Sequence, residues 1–291
     1  MYPAGVPGVV ARTITVRGGL SLRVVETGPP SGAPVLLIHG WGACIYTYRY
    51  LLPALANAGR RAIAYDLRGH GLSDKPRGEI NYTTAALLGD AVGLLDSLGL
   101  ERADIVGLSL GGGIALHLGL SAPERVRRLV VAAPVGLARV RLRRLARVLA
   151  PRVSDRFARY LTPRWLTSFL LHGAYGDPRR APDEAVDQYW APSQFPNYYR
   201  ALRALLGAFS WDPLGTPELS RIFQPTLVIV GTADRLIPDA RRGAVLLPNA
   251  SIVRLDGGGH LGIEECATES NAAVIRFLEG DEVVAASAAK S

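Results

Sequence analysis

The stretch Ile105–Gly113 constrains the fold of this chain more than any other. A short apolar, β-branched run ends at Ser109, which is flanked by Gly107 and Gly111, and a helix-compatible run begins at Ile114. This G-x-S-x-G spacing predicts a strand, a strained tight turn and a helix, because larger flanking side chains would collide with the neighbouring elements. The serine hydroxyl is then held at a strand end, beside the positive end of a helix dipole. The alternative interpretation is a glycine-rich turn that only packs closely.

Apolar runs alternate with helical runs along most of the chain. A hairpin is predicted at 12–27, and the alternation predicts a mostly parallel, eight-stranded α/β sheet with helices on both faces. The buried strands are predicted at 35–38, 62–65, around 103–106, 129–132, 226–230 and 251–255, and the helices at 48–58, 83–98, 114–120, 239–247 and 264–278.

The alternation stops after residue 133. Residues 134–215 contain no convincing buried strand, are broken by prolines and are rich in aromatic residues. We interpret this region as a helical cap inserted between the first part of the core, 1–133, and the second part, 216–291. The aromatic residues that face the sheet are expected to wall an apolar pocket.

Composition limits the class of protein. The 291 residues are 48% hydrophobic, which supplies a large core, but no apolar run is long enough to span a bilayer. The first residues lack the charged and apolar regions of a secretory signal, so we expect a cytoplasmic location or a mature form that has already been trimmed. Cys44 and Cys266 are interpreted as free thiols because one distant pair does not make a disulfide framework.

The net charge of +8 comes almost entirely from arginine. No zinc-finger, RNA-recognition or helix-turn-helix signature is present, so we expect no nucleic-acid partner. A basic amphipathic helix is predicted between Arg139 and Arg152, where leucines recur at helical spacing. A solvated outer face of the cap is favoured over contact with a membrane surface.

Three polar residues follow strands of the predicted sheet: Ser109, Asp234 and His260. Ligands of such sheets sit outside the carboxyl ends of the strands, so we expect these side chains to meet. A serine hydroxyl needs a base to take its proton, histidine suits that role near neutral pH, and a carboxylate fixes the imidazole tautomer. Asp239 and Asp256 are weaker candidates for the carboxylate, since Asp239 is expected to open a helix and Asp256 lies too close to His260 along the chain.

The oxyanion of an acyl-transfer reaction needs two fixed N–H donors. Leu110, which follows the serine, and Trp41, which follows the third strand, are expected to supply them. His39 and His70 lie in tight loops and are interpreted as hydrogen-bonded loop residues rather than bases. No pair of histidines has the spacing of a metal site such as H-E-x-x-H, so no metal is expected.

At this point the chain resembles the α/β-hydrolases with a helical cap. The resemblance rests on the segments 39–41, 66–74 (DLRGHGLSD), 107–112 (GLSLGG) and 123–126, and on the loops at Asp234 and His260. It implies a cofactor-free hydrolase with the triad given above. Haloalkane dehalogenases and epoxide hydrolases carry Asp in place of Ser109, and carbon–carbon bond hydrolases typically carry Asn in place of Leu108. The GLSLGG and DLRGHG segments resemble those of carboxylesterases and enol-lactonases.

We therefore predict a serine hydrolase that cleaves a small hydrophobic ester or lactone. A carbon–carbon hydrolase, a thioesterase or amidase, and a perhydrolase remain alternatives on the same triad, and a non-catalytic binding homologue is a remote one. The predicted substrate pocket contains His39, Gly40, Tyr46, Leu108, Trp165, Tyr189, Trp190, Leu236 and Ile237.

Overall fold

The computed structural model describes residues 2–3, 5–141 and 163–280. The larger part of the predicted basic helix and the C-terminal tail predicted to fray, 281–291, lie outside these residues. Among the described residues, no helix combines the length and the apolar character needed to cross a membrane.

All eight predicted strands form a single sheet, which confirms the α/β fold class. The strands are β1 Val9–Thr15, β2 Ser21–Thr27, β3 Pro34–Ile38, β4 Arg61–Tyr65, β5 Ala103–Leu108, β6 Val126–Ala132, β7 Thr226–Gly231 and β8 Ala250–Leu255. Their order in the sheet is β1-β2-β4-β3-β5-β6-β7-β8, with antiparallel pairing of β2 to β1 and to β4 and parallel pairing among strands β3 to β8.

The central strands are buried on both faces. Leu36 and Ile105 pack into one core cluster, whereas Val35, Leu37 and Val106 pack into the other on the opposite face of the sheet. Helices cover both faces of such a parallel sheet, and this explains why its strands are continuous apolar runs rather than alternating ones.

Helices flank the sheet, and some bounds differ from the prediction. The helix expected at 48–58 starts only at Leu51. This start places Pro53 in the first turn, where proline is tolerated because the N–H that it lacks is not needed there. The helix expected at 264–278 is interrupted at Cys266, whose φ of −110° and ψ of 50° are not helical. The helices are α1 Leu51–Asn57, α2 Thr84–Ser97, α3 Leu110–Ser121, α4 Arg164–Ala174, α5 Asp183–Trp190, α6 Tyr198–Ala208, α7 Thr216–Leu219, α8 Ala240–Ala244, α9 Gly262–Glu265 and α10 Ala267–Glu279.

The chain between β6 and β7 contains α4, α5 and α6. We use the name helical cap for residues 163–211, which lie within the region 134–215 that the sequence predicts to be the cap. Leu205 and Phe209 of the cap pack into the same core cluster as Ile114 of α3. The cap is therefore joined to the sheet layer by apolar packing on the side where β5 ends.

Gly111 allows α3 to lie against the end of β3. A Cβ at this position would lie 1.9 Å from the carbonyl oxygen of Ile38, so the backbone would have to move. We expect Gly111→Ala to lower the free energy of unfolding by about 3 kcal/mol, the upper end of the usual cost of overpacking. Chemical denaturation measures this change.

Gly89 provides the matched control for that substitution. It lies on the exposed side of α2, and a Cβ there would meet nothing within 4 Å. Because glycine is a poor helix former, Gly89→Ala should raise the stability by roughly 0.5–1 kcal/mol. Equal effects of the two substitutions would contradict the close approach of α3 to β3.

Candidate active site

Ser109 stands at the sharp turn between β5 and α3. Its φ of 53° and ψ of −112° lie in a region that residues with side chains rarely adopt. The turn is held by the Ser109 N–H, which donates to Ala132 O at 2.9 Å, and by the Ser109 carbonyl, which accepts from Gly113 and Val135 at 3.0 Å. Strain of this kind is stored at functional sites. The predicted serine turn is therefore present in the structure.

The loop after β3 packs directly on this serine. A Cβ added at Gly40 would lie 3.3 Å from the Ser109 Cβ and 3.8 Å from its Oγ. Trp41 follows in the same loop, and its indole donates to Leu202 O of the cap at 3.0 Å. On the other side, Leu110 is the first residue of α3, and helix geometry leaves its N–H without an intrahelical acceptor.

His39 and His70 brace the same loop as neutral rings. His39 Nε2 accepts the Leu67 N–H at 3.0 Å, so the proton is on Nδ1, which donates to Gly40 O at 2.8 Å. His70 Nε2 accepts the Gly42 N–H at 3.1 Å in the same way. Burial lowers the pKa of both rings, which favours the neutral form that these bonds require. Both are hydrogen-bonded loop residues, as the sequence indicated.

Asp234 and His260 form a buried pair at the ends of β7 and β8. His260 Nδ1 and Asp234 Oδ2 are 3.1 Å apart, while Asp234 Oδ1 accepts the backbone N–H groups of Leu236 at 2.7 Å and Ile237 at 3.0 Å. Burial alone would raise the pKa of Asp234, but the His260 hydrogen bond and charge and the two N–H groups hold the pKa below its usual value. Asp234 is thus kept as a carboxylate that can orient the imidazole.

The loops that carry this pair are locked together by their backbones. Ala233 N–H donates to Gly258 O at 2.9 Å, and Thr232 N–H donates to Leu255 O at 3.0 Å. The other two candidate carboxylates, Asp239 and Asp256, are exposed. Among the three, the structure brings Asp234 to His260.

Ser109 and His260 open onto the same cavity, whose volume is about 420 Å³. Its described wall combines aliphatic and aromatic side chains with a few hydroxyl groups and contains no Arg, Lys, Asp or Glu. The described lining comprises Trp41, Gly42, Ala43, Ser109, Val140, Leu166, Thr167, Phe169, Leu170, Leu171, Gly173, Ala174, Tyr189, Ser193, Tyr198, Tyr199, Leu202, Leu206, Trp211, Leu236, His260 and Leu261.

Comparison with known proteins identifies the family. A family model described as the alpha/beta hydrolase fold matches residues 33–266. The chain belongs to this family. The match runs from the start of β3 to the end of α9 and therefore includes the serine turn, the cap and the Asp234–His260 pair.

The α/β hydrolases that are similar to this chain are named for different reactions. The chain is 33% identical to 2-hydroxymuconate semialdehyde hydrolase of Pseudomonas sp. strain CF600 over 77% of each chain. It is 28% identical to epoxide hydrolase A of Mycobacterium tuberculosis strain H37Rv over 95% of this chain and 99% of the relative. The crystal structure of an enol-lactonase from Burkholderia xenovorans LB400 superposes with a TM-score of 0.74, at 25% identity, over 92% of this chain and all of that one. These similarities assign the hydrolase family without selecting one reaction.

The cavity of this hydrolase differs from the pocket predicted from the sequence. Of the predicted residues, Tyr189 and Leu236 line it. Trp165 is 68% exposed, because its position on α4 turns it to solvent. The other predicted residues, His39, Gly40, Tyr46, Leu108, Trp190 and Ile237, are absent from the cavity lining.

Burial in the layer behind the cavity explains most of these differences. His39 and Leu108 are fully enclosed at the strand ends, and Tyr46 packs edge-on against Tyr189 with ring centroids 5.9 Å apart. Ile237 is buried and offers its N–H to Asp234. The prediction also missed the wall contributed by α6, which contains Tyr198, Tyr199, Leu202 and Leu206. The apolar residues of α6 recur at helical spacing, which was the available signal.

Glu264 supports the cavity wall from behind. It is buried, pairs with Arg49 and accepts hydrogen bonds from the hydroxyls of Tyr189 and, at 3.3 Å, Tyr175. Burial raises its pKa, although Arg49 opposes that shift. The Arg49 guanidinium also lies 4.2 Å from the ring centroid of Tyr46. This cluster fixes Tyr189, whose ring faces the cavity.

Proposed function

We propose that this protein is a serine hydrolase that cleaves small, hydrophobic carboxylic esters or lactones through Ser109, His260 and Asp234. The proposal rests on one observation. Ser109 and His260 line the same apolar cavity, and Asp234 is hydrogen-bonded to Nδ1 of the His260 imidazole. A nucleophile, a base and the group that orients the base form the constellation that acyl transfer needs.

The acylation step follows from these positions. Ser109 Oγ attacks the carbonyl carbon of the substrate while its proton passes to Nε2 of His260. The negative oxygen of the tetrahedral intermediate is bound by the backbone N–H groups of Trp41 and Leu110, which are fixed before the reaction starts. The intermediate collapses to an acyl-enzyme, and the leaving alkoxide takes the proton from His260.

Deacylation repeats the cycle with water. His260 takes a proton from a water molecule while the water oxygen attacks the acyl carbon. The proton then passes from His260 to Ser109 Oγ as the carboxylic acid is released. No external cofactor enters either half of the cycle. Asp234 remains ionised throughout, in keeping with the direction in which its pKa is shifted.

The composition of the cavity favours neutral substrates. A volume of about 420 Å³ lies within the range of small-molecule sites, and the described wall offers no charge to pair with an anion. Placing an unpaired carboxylate against such a wall is costly. The acyl and alcohol groups are therefore expected to be short, uncharged and mainly apolar.

Hydrolysis of a carbon–carbon bond is the second candidate. It is favoured by the 33% identity to 2-hydroxymuconate semialdehyde hydrolase. Leu108 before the nucleophile argues against it, since that class typically carries Asn there. A perhydrolase, a thioesterase and an amidase would use the same three residues.

A substrate panel tests the proposal. We expect kcat/KM for p-nitrophenyl butyrate, or for an enol-lactone, to exceed that for a 2-hydroxy-6-oxo-dienoate, an amide and an acyl-thioester by at least about a hundredfold. A matched pair of methyl esters, with a neutral or a carboxylate-terminated acyl chain of equal length, should differ by about tenfold or more in favour of the neutral one. Turnover of the dienoate without turnover of any ester or lactone would assign the site to carbon–carbon cleavage instead.

A further inference from the structure

Glu265 binds three backbone N–H groups from two different parts of the chain. Its Oε2 accepts from Gly259, the residue before His260, and from Gly176 of the cap, both at 2.8 Å. Its Oε1 accepts from Asp177 of the cap at 2.9 Å. The Glu265 side chain has 0% exposure, so water does not compete for these bonds. The chemistry proposed above gives this carboxylate no part.

The backbones that Glu265 joins are in close contact. A Cβ added at Gly176 would lie 1.9 Å from Gly257 O, and one added at Gly259 would lie 2.3 Å from Gly176 N. Leu261 N–H also donates to Ala174 O at 3.3 Å. The end of α4 therefore lies directly on the glycine loop that leads to His260.

The opposite side of that loop is held by the loop of Asp234. Ala233 N–H donates to Gly258 O, and a Cβ at Gly231 would lie 2.3 Å from the same oxygen. The His260 loop is thus enclosed between the carboxylate-bearing loop and the cap. On the cap side, two backbone restraints flank His260: the bond of Gly259 to Glu265 and the bond of Leu261 to Ala174 O.

We propose that Glu265 is a positioning residue, which holds the His260 imidazole in its working orientation by tying its loop to the cap. The proposal rests on the proposed function, in which His260 is the base. Hydrogen bonds to an ionised carboxylate are about twice as strong as those between neutral groups, and three of them converge here. Because a misplacement of about 1 Å can cost roughly a hundredfold in rate, the position of this loop governs kcat.

Glu265→Gln is the test with the least change in shape. Glutamine has one acceptor oxygen, so its NH₂ group must face at least one of the three N–H donors and break that tie. We expect kcat for p-nitrophenyl butyrate to fall by roughly tenfold to a hundredfold, with KM within about threefold of wild type. In the proton NMR spectrum, the downfield Nδ1–H resonance of His260 should shift or broaden, which a substitution that affected only stability would not cause.

Arg180→Ala is the matched control. Arg180 approaches Glu265 Oε1 at 3.9 Å with a side chain that is 51% exposed, so its removal leaves the three backbone bonds in place. We expect kcat within about twofold of wild type and an unshifted His260 resonance, because the half-exposed Arg180 guanidinium lies 3.9 Å from Oε1, whereas the three N–H donors still bind the carboxylate. A folded Glu265→Gln variant with wild-type kcat and an unshifted resonance would overturn the proposal, as would an equal loss in Arg180→Ala.

If Glu265→Gln does not fold, Gly176→Ala tests the same tie from the other side. Its Cβ would push the cap away from Gly257 while Glu265 remains. The same loss of kcat with little change in KM supports the proposal, and wild-type kinetics overturn it. Failure of the proposed function is distinguishable, because the wild-type protein would then turn over no ester or lactone, or would still do so without Ser109, whereas the His260 resonance still reports the effect of Glu265.

Discussion

Replacing Ser109 with alanine should reduce kcat for p-nitrophenyl butyrate by roughly 10⁴-fold to 10⁶-fold. The Oγ atom is the proposed nucleophile, so without it no acyl-enzyme forms and only the oxyanion donors and substrate binding still favour hydrolysis. Covalent labelling by a fluorophosphonate probe, followed by intact-protein mass spectrometry, should be abolished. Alanine removes a single oxygen at the turn, and we expect the melting temperature to stay close to that of wild type.

Ser193 gives the matched control for this experiment. It is a second serine in the wall of the same cavity, and its hydroxyl donates to Trp190 O at 2.7 Å. Since no base faces Ser193 in the proposed mechanism, Ser193→Ala should keep full labelling and a kcat within a few-fold of wild type. Residual turnover in Ser109→Ala above 1% of wild type, or loss of labelling in Ser193→Ala, would refute Ser109 as the nucleophile.

The sequence predicted the parts of the fold that depend on local pattern. The glycines around Ser109 marked the turn because, at a close approach of backbones, only glycine fits, and the structure gives Gly111 that role against Ile38. The continuous apolar runs marked strands that are covered on both faces, and β5 is buried along its whole length. Both signals arise from local steric limits and from burial, and a single sequence is enough to show them.

The residues around the cavity were harder to predict because they depend on how helices of the cap turn against the sheet. Trp165 and Tyr189 look alike as aromatic cap residues, yet one is turned to solvent and the other faces the cavity, held by Glu264. That difference depends on side-chain partners that are distant in sequence, since Tyr189 and Glu264 are 75 positions apart. The three bonds of Glu265 are equally invisible in the sequence, since two of its partners are backbone groups of the cap.

Asp234→Asn should lower kcat by about 10⁴-fold while leaving the fold intact. Asp234 Oδ1 accepts the N–H groups of Leu236 and Ile237, and an amide NH₂ group cannot take that place because donors would face donors. The asparagine must therefore keep its oxygen there and turn its NH₂ group towards His260 Nδ1. This arrangement moves the imidazole proton to Nε2, the atom that has to accept the proton of Ser109. Steady-state kinetics and thermal unfolding measure the two expectations.

Asp256→Asn and Asp239→Asn are the controls, because both carboxylates follow the same strand ends but are exposed. Neither should change kcat by more than about twofold, since neither orients the imidazole in this arrangement. A normal rate in Asp234→Asn combined with a large loss in Asp256→Asn would transfer the orienting role to Asp256. Large losses in all three variants would mean that a negative potential over the strand ends, rather than the tautomer set by one carboxylate, determines the rate. Because burial and two fixed N–H donors act on Asp234 alone, we expect only its substitution to stop the proton transfer.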